Sequence, residues 1–526
     1  MIDFKNPRHA FAALAGAVLA LGLFRLRGLG FYNDDYVLLA GMAAAPGHGL
    51  VDAVRSLAGS SGGLFWTRPL NLLFYPALFS AFGASPLPYA VFSIVMQLAL
   101  CWTFYRTLMD EEVPGPAALL AALLAALHPA HDATRLWASG FIAPCALLGT
   151  LSAMRFYRRW LAGAAWPWLA AALVVFAAAT LLYEASAPLV LLLLWTCYRR
   201  ARSKGLAPLP ACLSGLRACS ALWGLFLVLM ATQRVLVPRL QGLERHPVSL
   251  SLGHAFQVLS SGLECGLGNR LLHLMSRQAV FAAGEFQPRD WLFWAAAAAA
   301  LAWLLRRLAA AGEGRAEPWP ILGAAWFVLG YVPYFFDRAY TPSIFDASNR
   351  VNLVSSLGAA WVLAWAWDRA RASAWPALRR CATPALTLLA AGFLLSGWSS
   401  NAQWARAYGL QKKVLAALSE GPQAGQAGPV LVFGVPGGVG SAPVFCSSYD
   451  LPHALLLRRG PGGPQPYLAE GRVSFEPDAA VVGGSRLPYR GLRAYDHAAG
   501  TWTALRGSRD GEAFLAARPR LSGRGP

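Results

Sequence analysis

The chain has 526 residues, is 56% hydrophobic, contains 20 Trp and carries charge on only 13% of its positions, against roughly 25% in an ordinary soluble domain. Apolar runs of about 18 residues or more recur over roughly the first 400 positions, long enough to cross a bilayer core of about 30 Å, and they exclude a soluble fold. The net charge of +19 does not point to nucleic acid. The arginines sit mainly in short loops between apolar runs, which is the positive-inside pattern.

The first segment, "MIDFKNPRHAFAALAGAVLALGLFRLRG", starts like a signal peptide, with a basic end and a short apolar core. No small-residue cleavage site precedes Arg25 and Arg27, so an uncleaved anchor is expected. Apolar runs then predict about eleven spans, near 10–27, 86–106, 115–130, 137–155, 165–184, 186–198, 217–237, 290–306, 319–336, 349–368 and 380–399. With the N-terminus inside, the arginine-rich stretches "RFYRRW", "CYRRARSKG", "RRLAAAGEGRAEP" and "WDRARASAWPALRR" all fall on the inner face, as the rule requires. The inner loop holding Arg106, Asp110, Glu111 and Glu112 fits it less well.

Two outer segments are long, 28–85 and about 238–289. Both contain apolar and aromatic stretches, "WTRPLNLLFYPALFSAFG" and "LGHAFQVLSSGLECGLGNRLLHLMS", which predict helices lying along the interface. After the last span, residues 401–428 read as an amphipathic helix followed by the linker "GPQAGQAGP". Residues 429–526 read as a small soluble domain, with "PVLVFGVP" and "DAAVVGG" as buried strands. The expected fold is therefore an all-α polytopic membrane protein, 1–400, with a small C-terminal α/β soluble domain. The eight Cys lie mostly inside apolar runs (Cys101, Cys145, Cys197, Cys381), where they act as small hydrophobes. There is no CxxC pair or zinc spacing, and no repeat of 20–50 residues.

The polar residues that composition leaves unexplained collect at the outer ends of the expected spans. They are Asp34 and Asp35 in "FYNDDY"; Arg68 in "WTRPLN"; His128, His131, Asp132 and Arg135 in "HPAHDATR"; Glu184 in "LLYEAS"; and Arg338, Asp346 and Arg350 in "FFDRAYTPSIFDASNR". Ionisable groups at membrane depth are costly and mark functional sites. Each also has an ordinary explanation. The acids can cap the helix that follows them, Arg68-Pro69 can start a helix, Glu184 can be a solvated interfacial acid, and Arg338 and Arg350 can snorkel from span ends. His128, His131 and Asp132 have the chemistry of metal ligands, but no acid–His pair elsewhere completes a set. A divalent metal is compatible with the chain and not indicated by it. These ordinary explanations do not account for the shared sidedness.

The order of these pieces resembles the multispanning glycosyltransferases of the GT-C fold. Within them the chain is most similar to the protein O-mannosyltransferase-like group whose members often carry TPR repeats. The matching residues are Asp34-Asp35, "TRPLNLLFYPALFSAFG", "LHPAHDATRLWASG" and "SNRVNLVSSLG", and the likeness covers about 30–370. Where the family has a Gly-Arg-x-Asp stretch this chain reads "SGFIAPC", Asn352 stands where an aromatic is often found, and the repeats are missing.

The resemblance implies a polyprenyl-phosphate sugar donor, a glycan or protein acceptor, and transfer on the periplasmic face. The residues fit that chemistry. A carboxylate, Asp34 or Asp35, can take the proton from an attacking hydroxyl. Arg350, helped by Arg338 and Arg68, can stabilise the departing phosphate. A transporter or flippase of a lipid-linked anion would also want outer arginines and acids, yet it should show inverted repeats or broken mid-membrane helices, which the sequence lacks. A sensor that uses the C-terminal domain to bind envelope material would explain that domain but not the paired acids. Heavy use of Ala, Arg and Gly fits a GC-rich bacterial genome, hence a multi-pass inner-membrane protein. The loop charges predict a cytoplasmic N-terminus and an external tail. Reporter fusions after residue 420 should be active only on the outer side, and a cytoplasmic reporter would overturn the shared sidedness of the polar groups.

Overall fold

The computed structural model describes residues 6–47, 49–60, 65–240, 251–311, 319–337, 340–345, 347–421, 426–469 and 473–518, and these residues are mostly helical. Five helices are long and apolar enough to cross a membrane: Pro86–Asp110, Ala138–Leu161, Pro208–Leu240, Pro288–Ala311 and Pro376–Glu420. Shorter apolar helices cover Asn71–Phe82, Gly115–Leu127, Pro167–Leu182 and Pro320–Phe336. Several long apolar helices of this kind make the chain a membrane protein by composition. In Pro208–Leu240 and Pro288–Ala311 only 17% of the apolar window is buried inside the chain, leaving faces that need an apolar surrounding.

By that measure the expected eleven spans are not reached, and the reason is local. The run near 115–130 stops as a helix at Leu127, because His128 is extended ahead of Pro129, as a residue before proline must be. The runs near 165–184 and 186–198 become a helix to Leu182, a 3-10 stretch Glu184–Leu191 around Pro188, and the helix Leu192–Ser203. The run near 319–336 gives way to a 3-10 turn at Val332–Phe336. The two long segments, 28–85 and 238–289, do contain helices, among them Asp34–Ala43 and Leu50–Ser60 in one, Leu252–Gly266 and Asn269–Glu285 in the other. The last expected span and the amphipathic stretch after it form one helix of 45 residues, Pro376–Glu420.

Contacts divide the chain into two compact units, and the division differs from a boundary at 400 alone. The first comprises 1–26, 61–74 and 88–401; the second comprises 27–60, 75–87 and 402–526. The paired acids therefore belong with the C-terminal segment.

At the centre of the first unit lies Gly115–Leu127, buried on every side from Ala117 to Leu127, as expected for a helix that is apolar all round. Against it packs Leu353–Arg371, which also meets Trp319–Leu329. The second contact depends on Gly358, where an added Cβ would lie 2.4 Å from the Phe327 nitrogen and 2.8 Å from the Gly323 oxygen. Small residues permit such backbone approach between helices in lipid.

In the second unit, Gly428–Phe433 pairs in parallel with Pro464–Leu468 and Arg493–Asp496, and Thr501–Ala504 closes the sheet antiparallel. Parallel pairing needs a long crossover, and the helix Asp450–Arg459 lies within it. Leu431, Phe433, Ala480, Val482, Ala494 and Phe514 share the apolar core, so both strands expected from sequence are present.

Replacing Gly358 with Ala should cost about 1–3 kcal/mol by overpacking and lower the melting temperature in detergent. Gly358→Leu should prevent accumulation in the membrane. Normal stability of the Leu variant would show that this helix contact is not tight.

Candidate functional site

In the first unit a cleft is lined by Arg68, Tyr183, Glu184, Arg234, Tyr334, Asp337, Tyr340 and Arg350. It is assembled from irregular backbone. Arg68 sits in the turn before Pro69, Glu184 follows the end of Pro167–Leu182, Arg234 lies in a π-turn at Thr232–Leu236, and Arg350 lies in the 3-10 turn Ala347–Asn352. Irregular backbone of this kind is tolerated at membrane depth only inside protein or along a cavity.

Glu184 is buried, 6% exposed, and accepts a forked pair from Arg68, Nε to Oε2 and Nη2 to Oε1, both at 2.8 Å. Arg234 Nη2 adds a third bond to Oε1 at 2.6 Å. The Arg68 guanidinium also lies over the Tyr183 ring, 4.6 Å from its centroid. Arg350 behaves differently. It lies over Trp137 at 4.9 Å and Tyr340 at 5.8 Å, donates to the Ala347 carbonyl at 3.3 Å, and among the described residues has no ion pair. Three guanidiniums and two carboxylates line the cleft. Arg350 is thus the one of these three guanidiniums that does not share the Glu184 carboxylate.

The "HPAHDATR" turn serves the same cleft from behind. Asp132 accepts from Asn349 Nδ2 and Ser400 Oγ, and Asn349 Oδ1 accepts the Ala133 N–H at 3.1 Å. Asn352 donates to the carbonyls of Ala130, at 2.9 Å, and Ser343, at 2.6 Å, and accepts from Tyr331 at 3.0 Å. Both asparagines that flank Arg350 are therefore bolted down, and Asn352 does so where the resembled family often has an aromatic. His128 Nε2 lies 3.0 Å from the Gly266 carbonyl. The ring nitrogens of His131 and the Nε and Nη2 of Arg135 are buried with no hydrogen-bond partner among the described residues. Among the described residues no group of three or more His, Cys, Asp or Glu could hold a metal.

In the second unit the two acids are separated in role by geometry. Asp35 is buried, and its Oδ2 accepts the Tyr32 N–H at 3.0 Å, satisfying a donor ahead of the first helical turn. Asp34 is half-buried, and its Oδ1 accepts from the Tyr449 hydroxyl at 2.9 Å. Next to Tyr449, burial pushes Asp450 up to about 6, opposed by the Ser447 and Cys446 amides and reinforced by the Asp34 charge. Asn33, before the acids, has φ +48, a strained region for a non-glycine residue.

Of the residues expected from sequence, Arg68, Glu184 and Arg350 share the cleft, while His128, His131, Asp132 and Arg135 lie in the turn that braces Arg350. Asp34 and Asp35 lie in the second unit, and Arg338 and Asp346 lie outside the described residues. Arg234 was missed; its one signal was an arginine inside the apolar stretch "LMATQRVLV". No family model matches the chain, nor does any curated protein or solved structure.

Glu184→Gln would leave two partly buried guanidiniums without their carboxylate. It should cost about 1–3 kcal/mol, read as a lower melting temperature in detergent. An unchanged melting temperature would show that the acid does not organise the cleft.

Proposed function

We propose that the chain is a membrane glycosyltransferase that moves a monosaccharide from a polyprenyl-phosphate donor to an acceptor hydroxyl. The observation that carries the reading is Arg350, whose neighbours Asn349 and Asn352 are bonded to the 128–135 turn, in a cleft where the other two guanidiniums already share Glu184. A lipid-linked anion fits the surroundings. An apolar groove of about 680 Å³, lined by Leu191, Trp195, Tyr198, Ile321 and Val328 among others, lies on the segments that continue from Glu184 and lead into Tyr334. An isoprenoid chain would gain burial there in proportion to its apolar area.

In this reading the acceptor oxygen attacks the anomeric carbon, the bond from that carbon to the phosphate oxygen breaks, and the lipid phosphate leaves. Arg350 stabilises the charge that grows on the leaving phosphate. Asp34, the less committed of the two acids, takes the hydroxyl proton, while Asp35 holds the start of its helix. The resemblance and the loop charges support a bacterial inner-membrane location with about eleven spans, and an active face and C-terminal segment in the periplasm. The acceptor is a glycan or a protein.

Envelope glycans compared by mass between cells with and without the protein should differ by one monosaccharide. Identical profiles would end the reading. Asp34→Asn should lower transfer on the order of 10²–10⁴-fold at normal membrane abundance, since an amide takes no proton yet its oxygen can still accept the Tyr449 hydroxyl. Arg350→Ala should abolish donor use, and Arg350→Lys should restore little because a point charge lacks the fork. Full activity in Arg350→Lys would remove bidentate phosphate binding.

A further inference from the structure

We propose that Tyr449, on the C-terminal segment, is a positioning residue for the Asp34 carboxylate, so that this segment sets the geometry of the proposed base. The inference rests on the reading of Asp34 given above and adds the role of a segment which that reading leaves without one.

The turn that carries Tyr449 is fixed from both sides. Asp450 Oδ2 accepts the Cys446 and Ser447 amides, each at 2.9 Å, which closes the turn on itself. Cys446 Sγ donates to Asn33 Oδ1 at 2.6 Å, one residue before the acids. Tyr36, two residues after Asp34, donates to Gln411 Oε1 at 2.7 Å, and Gln411 Nε2 in turn bonds the Val444 carbonyl. The helix Asp450–Arg459 packs on Asp34–Ala43. Residues 33 to 36 are thus tied to residues 444 to 450 on either side of the Tyr449–Asp34 bond. That bond spans 415 positions of sequence. Strained backbone such as that at Asn33 persists only where its surroundings over-determine it.

The Tyr449 hydroxyl, held by that framework, donates to Asp34 Oδ1 at 2.9 Å and so fixes which way the carboxylate faces.

The test uses the full-length chain in washed membranes that contain their own donor and acceptor pools, with transferred sugar read by mass. Tyr449→Phe should accumulate normally, because the ring is 42% exposed. It should lower transfer on the order of tenfold through misplacement of the carboxylate. In an Asp34→Asn background the same change should lower the remaining transfer by less than about twofold, because residues that act as one unit are not additive. A hydroxyl with only a structural role would lower transfer by the same factor in both backgrounds. That result, or unchanged transfer in Tyr449→Phe alone, overturns the proposal. Asp34→Asn separates this failure from failure of the parent reading: full transfer in Asp34→Asn removes the base itself, whereas a strongly impaired Asp34→Asn beside an unimpaired Tyr449→Phe removes only the positioning role.

Discussion

The Glu184 carboxylate organises the polar cleft of the first unit. A buried charge is tolerated only when it is paired and its remaining lone pairs are used, and Glu184 meets both conditions with three donated bonds from two arginines. Its partners come from far along the chain, 116 and 50 residues away, so the pairing fixes three otherwise separate segments. With Arg68 and Arg234 committed to it, the nearby Arg350 lies over the Trp137 and Tyr340 rings and donates to the Ala347 carbonyl.

The histidine and aspartate turn at 128–135 shows a second use of polar groups among apolar helices. Buried polar groups are satisfied by bonds inside the protein. Here those bonds run to Asn349, Asn352 and Ser400, so the turn holds the backbone on either side of Arg350. Asp132 takes part in that bracing through Asn349 and Ser400, while His128 reaches the Gly266 carbonyl.

In the second unit a strained asparagine, a capping aspartate and a half-buried aspartate occupy three consecutive positions. Each has a different partner, and two of those partners come from the C-terminal segment. That segment is therefore more than an appended domain beyond the last helix. Its sheet and crossover present the turn at 446–450 to the start of the helix Asp34–Ala43.

Sequence by itself determined the class of the protein, because hydropathy and loop charge are sums over neighbouring residues and need no tertiary partner. It also located the two C-terminal strands and the presence of helices within 28–85 and 238–289, since a local apolar pattern needs no distant partner. It overestimated helix continuity where Pro129, Pro188 and Pro333 break apolar runs into 3-10 turns. The tertiary structure alone decided that Arg234 shares the Glu184 carboxylate, that Asn349 and Asn352 lock onto the 128–135 turn, and that Tyr449 reaches Asp34. Those are choices of partner between distant segments, and a hydrogen bond that spans hundreds of residues leaves no periodicity for a sequence to display.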